Sequence, residues 1–121
     1  MALFRCGSGS SGGGTSQVVV TGTFSCTNST EVTISGISQI DFILTVLNNT
    51  ITVDSDNLFS YSGTNVANLV TRQNSTYIKD SRYAAAYKSQ GIQQNTINGN
   101  KFTFLHWNSN VQTVNYYVIG R

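Results

Sequence analysis

Five carboxylates are spread through the 121 residues: Glu31, Asp41, Asp54, Asp56 and Asp80. Hydrolysis of a glycoside needs two carboxyl groups facing each other across the bond, and the sequence neither excludes nor suggests such a pair. Asp54-Ser55-Asp56-Asn57 has the opening rhythm of a calcium loop, but the glycine and the distal bidentate glutamate do not follow. His106 lies between Leu105 and Trp107, and no recognisable serine or cysteine nucleophile motif accompanies it. It reads as a structural histidine. Cys6 and Cys26, distant from each other and with one histidine in the chain, do not make a zinc site. Their pairing cannot be read from sequence; a bond would be worth about 3 kcal/mol by the chain-entropy model. The expectation is no metal, no cofactor and no enzymatic activity.

The aromatic side chains carry more. Trp107, Tyr61, Tyr116 and Tyr117 are the candidate ligand-binding residues, because flat faces with polar tips stack on sugars or anchor interfaces when exposed. Buried, the same residues are core. Tyr77, Tyr83 and Tyr87 offer the same two readings.

Composition narrows the class. Charged residues make up 10% of the chain, against about 25% in typical soluble proteins. Asn (13), Ser (15) and Thr (15) take their place, while hydrophobic residues at 39% argue against disorder. Five of the seven basic residues (Arg72, Lys79, Arg82, Lys88 and Lys101) fall between positions 72 and 101. No helical basic stripe or binding motif accompanies them, so the expectation is a solvated face and no nucleic-acid partner. The apolar run in MALFRC is too short for a signal peptide, and no stretch of about 20 apolar residues exists. The expectation is a chain made in a cytoplasm, without membrane insertion.

These residues must be positioned by strands. From Gln17 onward the hydrophobic period is two. Strands are expected over Gln17 to Cys26, Glu31 to Ser35, Gln39 to Leu47, Thr50 to Asp54 and Leu58 to Ser62. Asn48-Asn49 is expected to turn tightly, since Asn tolerates positive φ. Thr64 is a cap candidate for a short helix carrying Val66, Leu69 and Val70. Ser81 to Gly91 reads as helix or strand, with the surrounding β pattern favouring strand. Ile92 to Ile97 and Lys101 to Trp107 flank Asn98-Gly99, a strong hairpin signal. Asn100 to Ile119 reads as a second hairpin closed by Asn-Ser-Asn. Strands at this spacing suggest a sandwich or a barrel over residues 17–121; of the two, the expectation adopted with the resemblance given below is an all-β antiparallel sandwich, jelly-roll-like, of about eight to ten strands with room for one short helix.

Residues 1–16 stand apart. Positions 7–14, GSGSSGGG, are only Gly and Ser and read as a flexible linker. Before them, Leu3, Phe4 and Arg5 form an apolar tip with a polar anchor, the composition of a docking peptide.

The tip MALFRCGSGSSGGG, the Thr/Asn/Ser-rich β domain and the closing NKFTFLHWNSNVQTVNYYVIGR together resemble small virion proteins of tailed bacteriophages and prophages. In those families a short N-terminal segment and a glycine-rich linker precede a β-sandwich whose last strand ends in an aromatic-rich Y-x-x-I-G sequence. Tyr116, Ile119 and Gly120 stand at those positions here. The resemblance covers both ends and the composition, not the middle. It implies a structural protein on the virion surface, in a tail fibre, tail tip or head fibre, contributing to host attachment. It further implies docking to other virion proteins through residues 1–6, a host surface glycan as ligand, and a homotrimer. A free carbohydrate-binding module and a capsid decoration protein without receptor binding are the alternatives. A small hydrolase is a third, should carboxylates converge in a cleft.

Overall fold

The computed structural model describes residues 16–48, 51–53, 59–61, 67–81, 90–106 and 110–121, with the side chains of 53, 59–61 and 81 outside that description. Among them the chain is all-β and antiparallel, with a single 3-10 turn at Gln94–Thr96. The strands are β1 (Val18–Cys26), β2 (Ser29–Thr33), β3 (Ile40–Leu47), β4 (Ile51–Val53), β5 (Phe59–Tyr61), β6 (Ala67–Gln73), β7 (Thr76–Ser81), β8 (Gly91–Ile92), β9 (Lys101–Leu105) and β10 (Gln112–Gly120).

Their pairing is nested. β1 pairs with β10, β2 with β9, β3 with β6 and β4 with β5. A long two-stranded ribbon folded across itself gives this pattern, and it is the jelly-roll way of building a sandwich. The ribbon closes because β10 also pairs with β3. The result is a five-stranded sheet, β1-β10-β3-β6-β7, a three-stranded sheet, β2-β9-β8, and the separate β4-β5 ladder.

The main core lies between the two larger sheets. Ile43, Val70, Val114 and Val118 of the five-stranded sheet meet Val32, Ile92, Phe102 and Phe104 of the three-stranded one. The opposite face of the five-stranded sheet is apolar too. Phe42, Leu44, Val46, Ala67, Tyr117 and Ile119 are buried there, with Ile51 of β4 packed against them. β3 is therefore buried on both faces, which is why IDFILTVL is apolar almost throughout rather than alternating. A register shift helps. Ile119 lies opposite Phe42 but Gly120 lies opposite Ile40, so Asp41 is the extra residue of a bulge and Ile40 turns to the same core as Ile43.

Four local expectations are corrected. The stretch from Asn100 to Ile119 is not a hairpin: β9 and β10 belong to different sheets. Alternation shows which residues share a face, not which strand lies alongside. Here Phe102 and Phe104 enter the core from one sheet, Val114 and Val118 from the other. Asn48 does take a positive φ of 56°, yet β3 and β4 do not pair with each other; Asn49 and Thr50 lie outside the described residues. The strand expected over Ile92 to Ile97 stops at Ile92, because Thr96 Oγ1 donates to the Gln93 carbonyl (2.7 Å) and accepts from the Thr103 N–H (2.9 Å). A side chain thereby replaces a backbone partner of β9. The turn that follows centres on Gly99-Asn100, one residue later than expected. Gly99 has φ +64° and Asn98 bridges Lys101. Glycine with positive φ at the first central position suits a type II′ hairpin.

The segment that could have begun a helix is instead strand from Ala67 onward. Ala67 and Leu69 face the outer cluster while Val70 faces the main core, a period of two. Of Ser81 to Gly91, residues 82–89 lie outside the described residues, as do 1–15 and with them the docking tip and its linker.

Candidate binding groove

The four aromatic candidates do not form one platform. Tyr117 is a correction: it is 1% exposed, edge-on to Phe42 at 6.3 Å, and belongs to the outer apolar cluster. It offers no face to a ligand. Its neighbour Tyr116 points to the other side of the sheet, where its half-buried ring stacks on Phe24 at 6.2 Å and packs against the main core. Consecutive strand residues must part in this way. Trp107 and the Tyr61 side chain lie outside the described residues.

The described surface has a groove of about 380 Å³ lined by Thr21, Gly22, Thr23, Ile51, Asn115 and Tyr116. Strand alternation assigns the roles. Thr21, Thr23 and Asn115 share the face of Tyr117, the side against which Ile51 packs. They give two hydroxyls and an amide to the groove, and Ile51 gives an apolar wall. Gly22 and Tyr116 direct their side-chain positions to the opposite face, so they line it through main chain. Among the described residues no charged group lines the groove. Sequence reading missed it because threonines on an edge strand look like ordinary solvent-facing positions. The only signal was Gly22, a break in a β-branched run.

A polar row crosses the inner face beneath. Gly22, Tyr116, Thr45 and Asn68 are successive cross-strand neighbours on β1, β10, β3 and β6. Thr45 and Asn68 are each 1% exposed. Asn68 Oδ1 accepts the Ile92 N–H at 2.7 Å, which ties the five-stranded sheet to β8. Gly91 passes against the same amide with φ +89°, in a place where any Cβ would collide with it.

Asp41 and Lys79 are bonded within the fold. Asp41 accepts hydrogen bonds from Gln17 Nε2 (2.8 Å), Gln39 Nε2 (2.9 Å) and Arg121 Nε (2.9 Å). Burial alone would raise its pKa. The hydrogen bonds and the Arg121 charge outweigh that and hold it below the usual carboxylate value. Lys79 Nζ donates to the Gln90 carbonyl at 2.8 Å, and burial lowers its pKa. His106 is 4% exposed, its backbone N–H donates to the Asn28 carbonyl at 2.9 Å, and burial lowers the pKa of its imidazole as well. Cys26 is a buried free thiol whose pKa burial raises. Among the described residues no group of three or more His, Cys, Asp or Glu side chains could hold a metal ion. Asp54 and Asp56 lie outside them.

Against family models, curated proteins and solved structures, the chain has no match.

Proposed function

We propose that this protein is a structural component of a tailed-phage particle surface, and that its β domain contributes to host attachment by holding a neutral glycan. The particle half of this reading rests on the resemblance of the N-terminal tip, the glycine-rich linker and the closing strand to small virion proteins. The binding half rests on one observation: the groove beside β1 and β10 offers two hydroxyls, an amide and an apolar wall, with no charge among its described lining residues. Uncharged hydrogen-bonding groups next to an apolar patch suit a sugar, which is polar at its hydroxyls and apolar on its ring faces. The jelly-roll pairing is compatible with this but carries none of it, since such folds serve unrelated functions.

Purified particles from a lysogen carrying the gene test the first half. The protein should co-purify with them, and a chain lacking residues 1–14, or one carrying Phe4→Ala, should fold but be lost from the particle. A glycan array probed with the isolated protein tests the second half. Binding should weaken by about 1–3 kcal/mol in Thr21→Val or Asn115→Ala, in the range of a central interface contact. A protein that binds glycans yet never joins a particle is a free carbohydrate-binding module. One that joins particles and binds no glycan is a decoration protein.

A further inference from the structure

The five-stranded sheet has two edges, and they are built differently. β7, at one edge, carries Lys79 and Asp80. Charges on an edge strand discourage another strand from adding to it. In the smaller sheet, β2 carries Glu31 and β8 is only two residues long. β4 and β5 have three residues each. β1, at the remaining edge, is nine residues of VVVTGTFSC with neither charge nor proline. Among the described strands it is the one long edge without a guard.

The direction of its backbone groups follows from β10. The Asn48 N–H donates to the Thr113 carbonyl at 2.8 Å, and the Thr113 N–H donates to Asn48 Oδ1 at 3.2 Å, so Thr113 faces β3. Strand residues alternate between partners. Residues 115, 117 and 119 therefore also face β3, and 112, 114, 116, 118 and 120 face β1. Their partners in the register, Val18, Val20, Gly22, Phe24 and Cys26, bond inward. Val19, Thr21, Thr23 and Ser25 direct their N–H and C=O groups away from the sheet, and all four are exposed.

We infer that β1 is a homodimer interface: β1 of a second copy of this chain adds to it antiparallel about a two-fold axis, making one continuous ten-stranded sheet. One register uses every outward group. Gly22 lies opposite Gly22 on the axis, Thr21 opposite Thr23, and Val19 opposite Ser25. Each H-bonded pair in an antiparallel ladder exchanges two bonds. The two glycines meet at a non-hydrogen-bonded site, where backbones come closest and side chains crowd most. Thr opposite Thr is a favourable cross-strand pair. A charge-free strand can lie against itself without like-charge contact, which β2 with Glu31 and β7 with Lys79 and Asp80 cannot do as freely. The two-fold axis would run perpendicular to the sheet, so both grooves would open on the same side, next to each other.

Sedimentation of the full chain at tens of micromolar tests this. A dimer is expected, and Thr21→Lys with Thr23→Lys should convert it to a monomer with unchanged circular dichroism. The register has its own test in a Cys6→Ser background. Val19→Cys with Ser25→Cys should give a covalent dimer on mild oxidation, while either substitution alone should not; within one strand these positions are too far apart to bridge. A wild-type monomer or trimer overturns the inference. So does a dimer indifferent to the lysines, or a dimer that the cysteine pair fails to lock.

Discussion

The hydroxyl of Tyr116 lies directly over Gly22, its cross-strand partner, so that a Cβ built at Gly22 would stand 2.6 Å from the oxygen and 2.9 Å from the ring carbon that bears it. The glycine is there because the tyrosine needs the room. Stacking on Phe24 limits how far the ring can yield.

Gly22→Ala should therefore destabilise the domain by about 1–3 kcal/mol, the range for overpacking a filled site. With Tyr116→Ala as background the sign should reverse. The same substitution should then stabilise by about 0.5–1 kcal/mol, because only the entropic cost of a strand glycine remains. A double-mutant cycle by urea unfolding reads both values, and a Gly22→Ala cost that persists without the tyrosine would rule out this relationship.

The closing strand shows how much was legible in the sequence. That Gln112 to Ile119 is a strand, and that Tyr116 and Tyr117 face opposite ways, follows from a period of two. Which face holds which core does not follow, because both faces of this sheet are apolar. Nor does the partner strand: β10 lies between β1 and β3, both far away in sequence, while β9 joins the other sheet. Composition identifies strands well here because β-branched and aromatic residues dominate them. It says little about a groove made of two threonines, an asparagine and an isoleucine. Those side chains converge only through long-range pairing.

Tyr117 and Tyr116 should separate in experiment. Tyr117→Ala should cost about 3–5 kcal/mol, as for a buried aromatic side chain reduced to a methyl. Tyr116→Ala, at a half-buried site, should cost clearly less. Denaturant midpoints compare the two directly, and equal losses would show that the exposure of the two rings has been misassigned.

Asn68 should act as a strut between sheets. Asn68→Ala leaves the Ile92 N–H buried without its partner and should cost about 1–3 kcal/mol. Gly91→Ala should be worse, about 3 kcal/mol or more, because positive φ and a collision with the Asn68 amide act together. Hydrogen exchange at the Ile92 amide should accelerate in Asn68→Ala before global unfolding does.

Asp41 predicts the response to acid. Its folded pKa lies below the unfolded value of about 3.9, so its stabilisation is complete above that value and is lost as pH falls through the folded pKa. Asp41→Asn should cost about 1–2 kcal/mol at pH 7, a modest figure because the Arg121 side chain is 37% exposed and water screens the pair. The gap between variant and wild type should hold down to the unfolded value and then narrow as pH falls through the lowered folded pKa. Unfolding curves at pH 7, 4 and 2.5 check this; a gap that stays constant would place the stabilisation elsewhere.

The same carboxylate has a mechanical consequence. Gln17, just before β1, and Arg121, just after β10, both bond to Asp41, so β1 is entered and β10 is left at the same end of their ladder. Force applied between those two points would not shear the ladder as a block. It would unzip β1 from β10 one pair at a time, starting at Val18 and Gly120. Asp41 is then a latch at the mouth of the zip, and the tension the domain withstands in that direction is set first by the latch and only afterwards by the ladder.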